Sequence, residues 1–112
     1  MKAIVVHKDQ RKTMPMNHPG LTKDVIVENG MLPPLTQISV ALYHEGQEVE
    51  LHQHKTMWAL YFILSGEGIY TIGDETVTLK EGSFLAIPPT MMHKHRCTVG
   101  PHKIYYMGLA TD

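Results

Sequence analysis

Apolar and polar residues alternate along short segments of this chain, and glycine and proline separate one segment from the next. Within Leu35–Tyr43 the apolar positions 38, 40 and 42 have a period of two, which is typical of a strand with one buried face. The other predicted strands are Asp24–Glu28, Glu48–His54, Trp58–Leu64, Ile69–Ile72, Thr76–Leu79, Phe84–Ile87 and Lys103–Leu109. Short strands at this spacing, with turn residues between them, predict an all-β antiparallel sandwich or barrel.

Turn-forming residues set the predicted limits of these strands. The sequence Asn29-Gly30 is a strong hairpin signal, and Thr13–Gly20, rich in proline and methionine, is expected to be a loop. Further breaks are predicted at Ser65–Gly68, Gly73-Asp74, Lys80–Gly82 and Pro88-Pro89. With 112 residues, the chain is expected to form one domain: residues 1–34 an N-terminal arm and first strands, residues 35–112 a barrel.

Composition and charge exclude several classes of protein. The chain is 43% hydrophobic and 19% charged, which is ordinary for a globular domain and unlike a disordered one. Its net charge of -1 and its lack of a basic run argue against nucleic-acid binding. The apolar run Ala3–Val6 is too short for a signal peptide or a membrane span, and the charged residues Lys8 and Asp9 follow soon after it. We therefore expect a cytoplasmic protein.

Histidine is unusually frequent, with eight residues beside a single cysteine, so a metal site here depends on imidazole or carboxylate ligands. His52 and His54 are two residues apart in a predicted strand and therefore share a face, with Gln53 on the other. His93 follows the strand Phe84–Ile87 and completes a three-nitrogen site if the sheet closes on itself. Three histidines with coordination positions left open are typical of a catalytic metal site.

Around these histidines the chain resembles a small single-domain cupin of the Cupin_2 type. The first cupin motif, G-x5-H-x-H-x3,4-E-x6-G, is matched by Gly46, His52, His54 and Gly66. The second, G-x5-P-x-G-x2-H-x3-N, is matched by Gly82, Pro88 and His93. The resemblance implies a jelly-roll barrel, also called a double-stranded β-helix, and one metal ion bound by the three histidines.

Three positions depart from the family pattern. Ala59 stands where the motif has its glutamate ligand, or Trp58 with the shorter spacing, Thr90 replaces the second-motif glycine, and Cys97 replaces the final asparagine. Three neutral imidazoles leave a divalent ion its full charge, which favours a small anionic substrate. Similarity to three-histidine cupin dioxygenases implies Fe(II), with Mn, Ni, Zn and Cu as alternatives.

Other candidate residues have more than one interpretation. By strand alternation His95 shares a face with His93 and is a fourth ligand, a catalytic acid or base, or a rim residue. Cys97 is either a small buried residue, which is favoured, or a redox-active or ligating thiol. The methionines near the ligands are expected to pack flexibly rather than bind copper: Met57, Met91 and Met92. The remaining histidines are expected at the surface: His7, His18, His44 and His102.

Three functions are compatible with such a site. A dioxygenase-like enzyme is favoured; the alternatives are a non-redox isomerase or lyase acting on sugar acids and a metal- or ligand-binding protein without turnover. A tyrosine or His95 would move protons in the non-redox case. Open sheet edges also suggest a homodimer, with Ala3–Val6 pairing onto a neighbour's sheet, and cupin resemblance supports it.

Overall fold

The computed structural model describes residues 2–112 and is almost entirely antiparallel β-sheet. A single turn of 3-10 helix spans Lys8–Gln10. The strands are β1 (Lys12–Pro15), β2 (Thr22–Val27), β3 (Leu35–Tyr43), β4 (Glu48–His52), β5 (Met57–Ile72), β6 (Glu75–Lys80), β7 (Phe84–Ile87) and β8 (His93–Ala110). Within the described residues, no helix is long and apolar enough to cross a membrane.

Two long strands organise the fold. Strands β5 and β8 pair antiparallel along their whole length, from Met57↔Ala110 to Ile72↔His93. The first half of β8 also pairs with β4 and its second half with β3, while β5 pairs with β7 and then β6. Because each long strand serves two groups of neighbours, the sheet folds over itself. The predicted all-β antiparallel jelly roll is confirmed.

The long strands also correct two predicted boundaries. Ser65–Gly68 was expected to be a turn, and the last strand was expected to begin at Lys103, but β5 and β8 continue through both places. The pairing register shifts between Ile63 and Gly68, so the strand bends there without ending. Gly66 has φ +69°, and a side chain at this position would meet backbone oxygens of β8. Glycine therefore permits a close crossing of two strands.

The N-terminal region differs from the prediction as well. Within the single chain Ala3–Val6 forms no strand and Val5 is 68% exposed, so the pairing of this segment onto a neighbour's sheet stays a prediction. The first strand is instead β1, which lies largely inside the expected loop Thr13–Gly20 and pairs with β2. Tertiary pairing with β2 overrides the weak strand preference of the proline- and methionine-containing sequence. Residue 1 of the predicted arm lies outside the described residues.

The core lies between the two halves of the folded sheet. Inward-facing side chains of neighbouring strands meet there in rows, for example Ala41, Ile104 and Ile63, each at most 1% exposed. Burying an isoleucine side chain contributes about 1.5 to 3 kcal/mol to the stability of the folded state. Tyr70 and His102 are equally buried, so one end of the core is polar.

Candidate metal centre

His52, His54 and His93 come together at one end of the folded sheet. His52, the last residue of β4, is the register partner of His93, the first residue of β8, and their ring centroids are 4.1 Å apart. His54 lies just beyond β4, which ends two residues earlier than predicted. One ligand atom from each histidine lies within 4.8 Å of the others, near the roughly 3–4 Å that a shared ion with bonds of about 2.1 Å requires.

Backbone contacts hold the ligand-bearing loops against each other. The Thr90 N–H donates to the His54 carbonyl oxygen at 2.6 Å, and the Gly73 N–H donates to that of Met92 at 2.8 Å. Thr90 has φ +71°, a conformation that is uncommon for a β-branched residue and natural for glycine. The turn that presents His93 beside His54 therefore keeps the backbone conformation that suits the motif glycine, although threonine occupies the position here.

Two of the imidazoles are oriented for metal binding by a hydrogen bond from Nδ1, the ring nitrogen that would not face a bound ion. The Nδ1–H of His52 donates to the carbonyl of Glu50 at 2.7 Å, and the Nδ1–H of His93 donates to that of Met91 at 2.9 Å. This tautomer leaves the Nε2 lone pair of each ring available as a ligand. In residues 2–112, the buried Nε2 atom of His93 has no hydrogen-bond partner. The donor atoms therefore fit a metal ion.

Burial keeps the three rings in the form that binds metals. It lowers the pKa of His52 and His54, and it lowers the pKa of His93 to about 4 despite its hydrogen bond to the Met91 carbonyl. Metal coordination requires neutral imidazole. At neutral pH the cluster is thus deprotonated before any ion arrives.

A cavity of about 100 Å³ adjoins the cluster and is lined by two of its members, His52 and His54. Two small residues, Ala59 and Gly108, stand opposite each other on β5 and β8, and Tyr43, Tyr61 and Tyr106 supply aromatic walls. None of the described residues lining the cavity is Asp or Glu. The space is suited to a small molecule, and its walls carry no negative charge.

His95 lies deeper in the same cavity and outside the three-histidine cluster. It is 4% exposed, and its ring stacks on Tyr70 at 4.5 Å with an interplanar angle of 14°. Both ring nitrogens lack a partner among the described residues, and burial lowers the pKa of His95 to about 3. Its acid-base role remains a prediction.

Two histidines expected at the surface are not there. His102 is fully buried: its Nδ1–H donates to the Ser65 carbonyl at 3.0 Å, and its Nε2 accepts from the Tyr70 hydroxyl at 2.6 Å. His18 lines the cavity, with its ring centroid 4.7 Å from that of His52. Both positions result from contacts distant in sequence, which local patterns do not reveal. His7 and His44 are exposed as predicted.

The sulfur-containing residues near the cluster differ in their settings: Cys97 is buried in the core, as favoured, whereas the methionines lie at the surface or in the cavity wall. Cys97 is a free thiol, fully buried, and burial raises its pKa, so it packs as a small core residue outside the histidine cluster. Met91 and Met92 are partly exposed at 38% and 39%, whereas Met57 lines the cavity. Gln53 is exposed, on the side away from the histidines, as alternation predicts.

Comparison with known proteins identifies the family. The Cupin_2 family profile, described as a cupin domain, matches residues 39–105, more than half of the chain. The chain is a cupin. It is 31% identical over 100 residues to the uncharacterized protein MJ1618 of Methanocaldococcus jannaschii, an alignment that covers 84% of this cupin and 75% of that protein.

Two solved structures share the fold of this cupin at low sequence identity. KdgF from Halomonas sp. has a TM-score of 0.80 and 15% identity, covering 96% of this chain and 94% of that one. A predicted oxalate decarboxylase from Thermotoga maritima has a TM-score of 0.75 and 18% identity, covering 96% and 99%. Such likenesses place the histidine cluster in a fold that serves varied chemistry.

Proposed function

We propose that this cupin is a mononuclear metal-dependent enzyme that acts on a small anionic substrate, with dioxygenation as the favoured reaction. The observation that carries the proposal is the donor set, in which three neutral imidazoles meet beside a cavity and Ala59 occupies the position of the usual carboxylate ligand. A carboxylate would cancel half the charge of a divalent ion, whereas this set leaves it whole. An anion is therefore attracted to the ion.

The surrounding residues have distinct tasks in this proposal. When bound by His52, His54 and His93, the metal would supply Lewis acidity and, if it is iron, redox chemistry. Burial raises the pKa of Tyr106 to about 12 and also raises that of Tyr61, so both hydroxyls stay protonated as hydrogen-bond donors. His95, which lines the cavity and whose two ring nitrogens have no partner among the described residues, is the candidate acid or base.

Metal uptake is the first test. The protein is reconstituted without oxygen with Fe(II), Mn(II), Ni(II) or Zn(II), and bound metal is measured after gel filtration. We expect one ion per chain, lost in His93→Ala because two remaining imidazoles form an incomplete site. His44→Ala, which removes an exposed histidine, is the matched control and should keep its metal. A chain that binds none of these ions would contradict the proposal.

Oxygen uptake then tests the reaction class. The Fe(II)-loaded protein is mixed with a panel of thiols and diketones, and oxygen consumption is followed with an electrode. Uptake that depends on both iron and substrate supports dioxygenation. Stoichiometric iron without uptake for any substrate would favour the non-redox isomerase or lyase, or the binding protein. His95→Gln, with metal content unchanged, tests the acid-base role through its effect on turnover.

The proposal includes a homodimer and a cytoplasmic setting, where a free thiol such as Cys97 stays reduced. The chain exposes 7033 Å², against roughly 6,200 Å² for a compact monomer of 12.7 kDa. The mostly exposed residues 2–10 contribute to this excess, and a standard interface would bury ~800 Å² of each partner. An apolar groove on the outer face of the sheet offers a matching surface, lined by Ile26, Ile38, Phe62, Phe84, Tyr105 and Met107.

A further inference from the structure

A lysine faces the cavity that holds the histidine cluster. Lys23 lies on β2 two residues before Val25, whose register partner is the fully buried Ser39, so Lys23 shares the inward face. It lines the cavity together with Gln37, across the sheet from Ala59. Lys23 belongs to neither cupin motif.

The ammonium group of Lys23 is only partly satisfied. Its Nζ donates to Oε1 of Gln37 at 2.9 Å, and the same oxygen accepts from Ser39 Oγ at 2.8 Å. Because Lys23 and Ser39 both donate to the same oxygen, they fix the orientation of the Gln37 side chain. The bond to Gln37 uses one of the three N–H donors of Lys23, so the others can bind a ligand. In the described part of the chain, no carboxylate lies within 4 Å of Lys23.

This setting differs from that of the exposed lysine on the neighbouring strand. Lys12 of β1 pairs with Glu28 at 2.9 Å, in the open. Lys23, in contrast, is partly buried, and burial lowers its pKa. A partly desolvated ammonium group without a counter-ion lowers the stability of the folded state. An anionic ligand bound beside it would offset this loss.

The small side chain of Ala59 leaves room between this cation and the metal ligands. Gln37 is the register partner of Gly108, and Gly108 that of Ala59; Thr36 and Met57 fill the space beside Gly108, so the open space lies at Ala59. A larger residue at position 59 would fill this space. Instead, the lysine and the histidine cluster are open to one cavity.

We propose that Lys23 and Gln37 bind the second acidic group of a substrate that carries two, while its first acidic group binds at the three-histidine site. The substrate class is a small dianion, such as a short dicarboxylate, whose length spans the cavity. This inference rests on the proposed metal site and adds a determinant of specificity to it. Lys23 supplies the charge, and Gln37 holds the ammonium group in place.

Calorimetric binding to the Ni(II)-loaded protein tests the inference without relying on turnover. The probes are malonate, succinate and glutarate, each compared with the monocarboxylate of equal chain length. We expect the best dicarboxylate to bind about tenfold or more tightly than its monocarboxylate, because a charge-assisted hydrogen bond forms in a partly dry site. The preference should disappear in Lys23→Met, persist in Lys23→Arg and be unchanged in the control Lys12→Met.

Metal analysis of every sample separates the two hypotheses. A fully loaded protein that binds both kinds of acid equally, or a Lys23→Met variant that weakens both alike, would overturn the role of Lys23 and leave the metal site intact. A protein that takes up no metal would overturn both. Lys23→Gln, neutral and polar, gives the same comparison if the methionine variant fails to fold.

Discussion

Ala59 illustrates how one residue sets the electrostatics of the site. It is 3% exposed, lines the cavity and stands where the cupin motif has a glutamate ligand. Its methyl group contributes neither charge nor a ligand atom. The charge of a bound ion would therefore remain available to a substrate, which is the basis of the proposed preference for anions.

Restoring the family residue tests this reasoning. In Ala59→Glu we expect metal to be retained and malonate to bind the Ni(II)-loaded protein about tenfold more weakly, because the new carboxylate cancels part of the ion's charge. Ala59→Gln has nearly the same volume without the charge and controls for filling of the cavity. Equal weakening by both variants, measured calorimetrically, would show that volume rather than charge matters.

His102 is a second residue whose setting has a measurable consequence. It is fully buried and neutral, and burial lowers its pKa below that of the unfolded chain, about 6.5. Below pH 6.5 the unfolded chain therefore binds a proton that the folded chain does not. The contribution of neutral His102 to the free energy of unfolding is therefore fully present above pH 6.5 and decreases as the pH falls below that value.

Urea unfolding between pH 7.5 and pH 5 measures this effect. We expect the free energy of unfolding to fall more steeply with acid in the wild type than in His102→Gln. Glutamine can accept from the Tyr70 hydroxyl and donate to the Ser65 carbonyl, as His102 does, but it does not titrate. Other buried histidines are common to both proteins, so parallel pH profiles would contradict the role assigned to His102.

The sequence alone predicted some residues of the site correctly and others not. His52 and His54 were predictable because strand alternation acts over a few residues, and His93 was predictable because it falls in the register of the second cupin motif. His18 and His102 were misjudged as surface residues because their environment depends on distant partners; Tyr70, for example, lies 32 positions from His102. Lys23 likewise has an unremarkable local sequence, and only the β2–β3 register turns it inward.

At the scale of elements, the bend of β5 is the decisive feature. Gly66 was interpreted as part of a turn, since glycine commonly ends strands, yet β5 continues past it for six residues to Ile72. Its backbone adopts φ +69°, and β8 passes too close for a side chain. Glycine in a strand therefore has two meanings, a turn or a close crossing, which local sequence does not distinguish.

The substitution Gly66→Ala separates conformation from crowding. We expect it to lower the free energy of unfolding by about 2 kcal/mol or more, because alanine is strained at positive φ and its methyl group meets backbone oxygens of β8. Gly46→Ala is the control: its φ is +85°, but nothing lies within 4 Å of the added methyl group. Equal losses for both variants in urea unfolding would mean that crowding contributes nothing.

At the scale of the whole molecule, the apolar groove is the surface through which we propose that the chain dimerises. Phe62 and Phe84 are register partners on β5 and β7, and they remain 39% and 57% exposed. Aromatic side chains left in water on adjacent strands form an apolar patch that a second copy can cover. The exposed Ala3–Val6 segment forms no strand in the single chain, so its predicted pairing with a neighbour is a separate question.

Light scattering coupled to size exclusion tests this assembly. We expect the wild type to elute as a dimer and Phe84→Glu as a monomer, because the interface would bury an unpaired charge. Val77→Glu changes an apolar residue of β6 that is also exposed, at 40%, and should leave the dimer intact. Dimers that persist in Phe84→Glu would place the interface elsewhere, and a monomeric wild type would remove the dimer altogether.

The position of β8 has a consequence for hydrogen exchange. Along most of its length this strand is paired on both sides, with β4 or β3 on one edge and β5 on the other. The amides of its two doubly paired stretches, residues 93–96 and 102–109, should therefore exchange with solvent only on global unfolding, whereas the loop before it should exchange through local opening. His93 is the first residue of that protected strand and follows that loop directly. One ligand of the proposed metal site thus stands where a protected strand meets a loop that opens locally, so we expect adaptation to a new ligand to occur on the loop side of His93 and in the loop carrying His54.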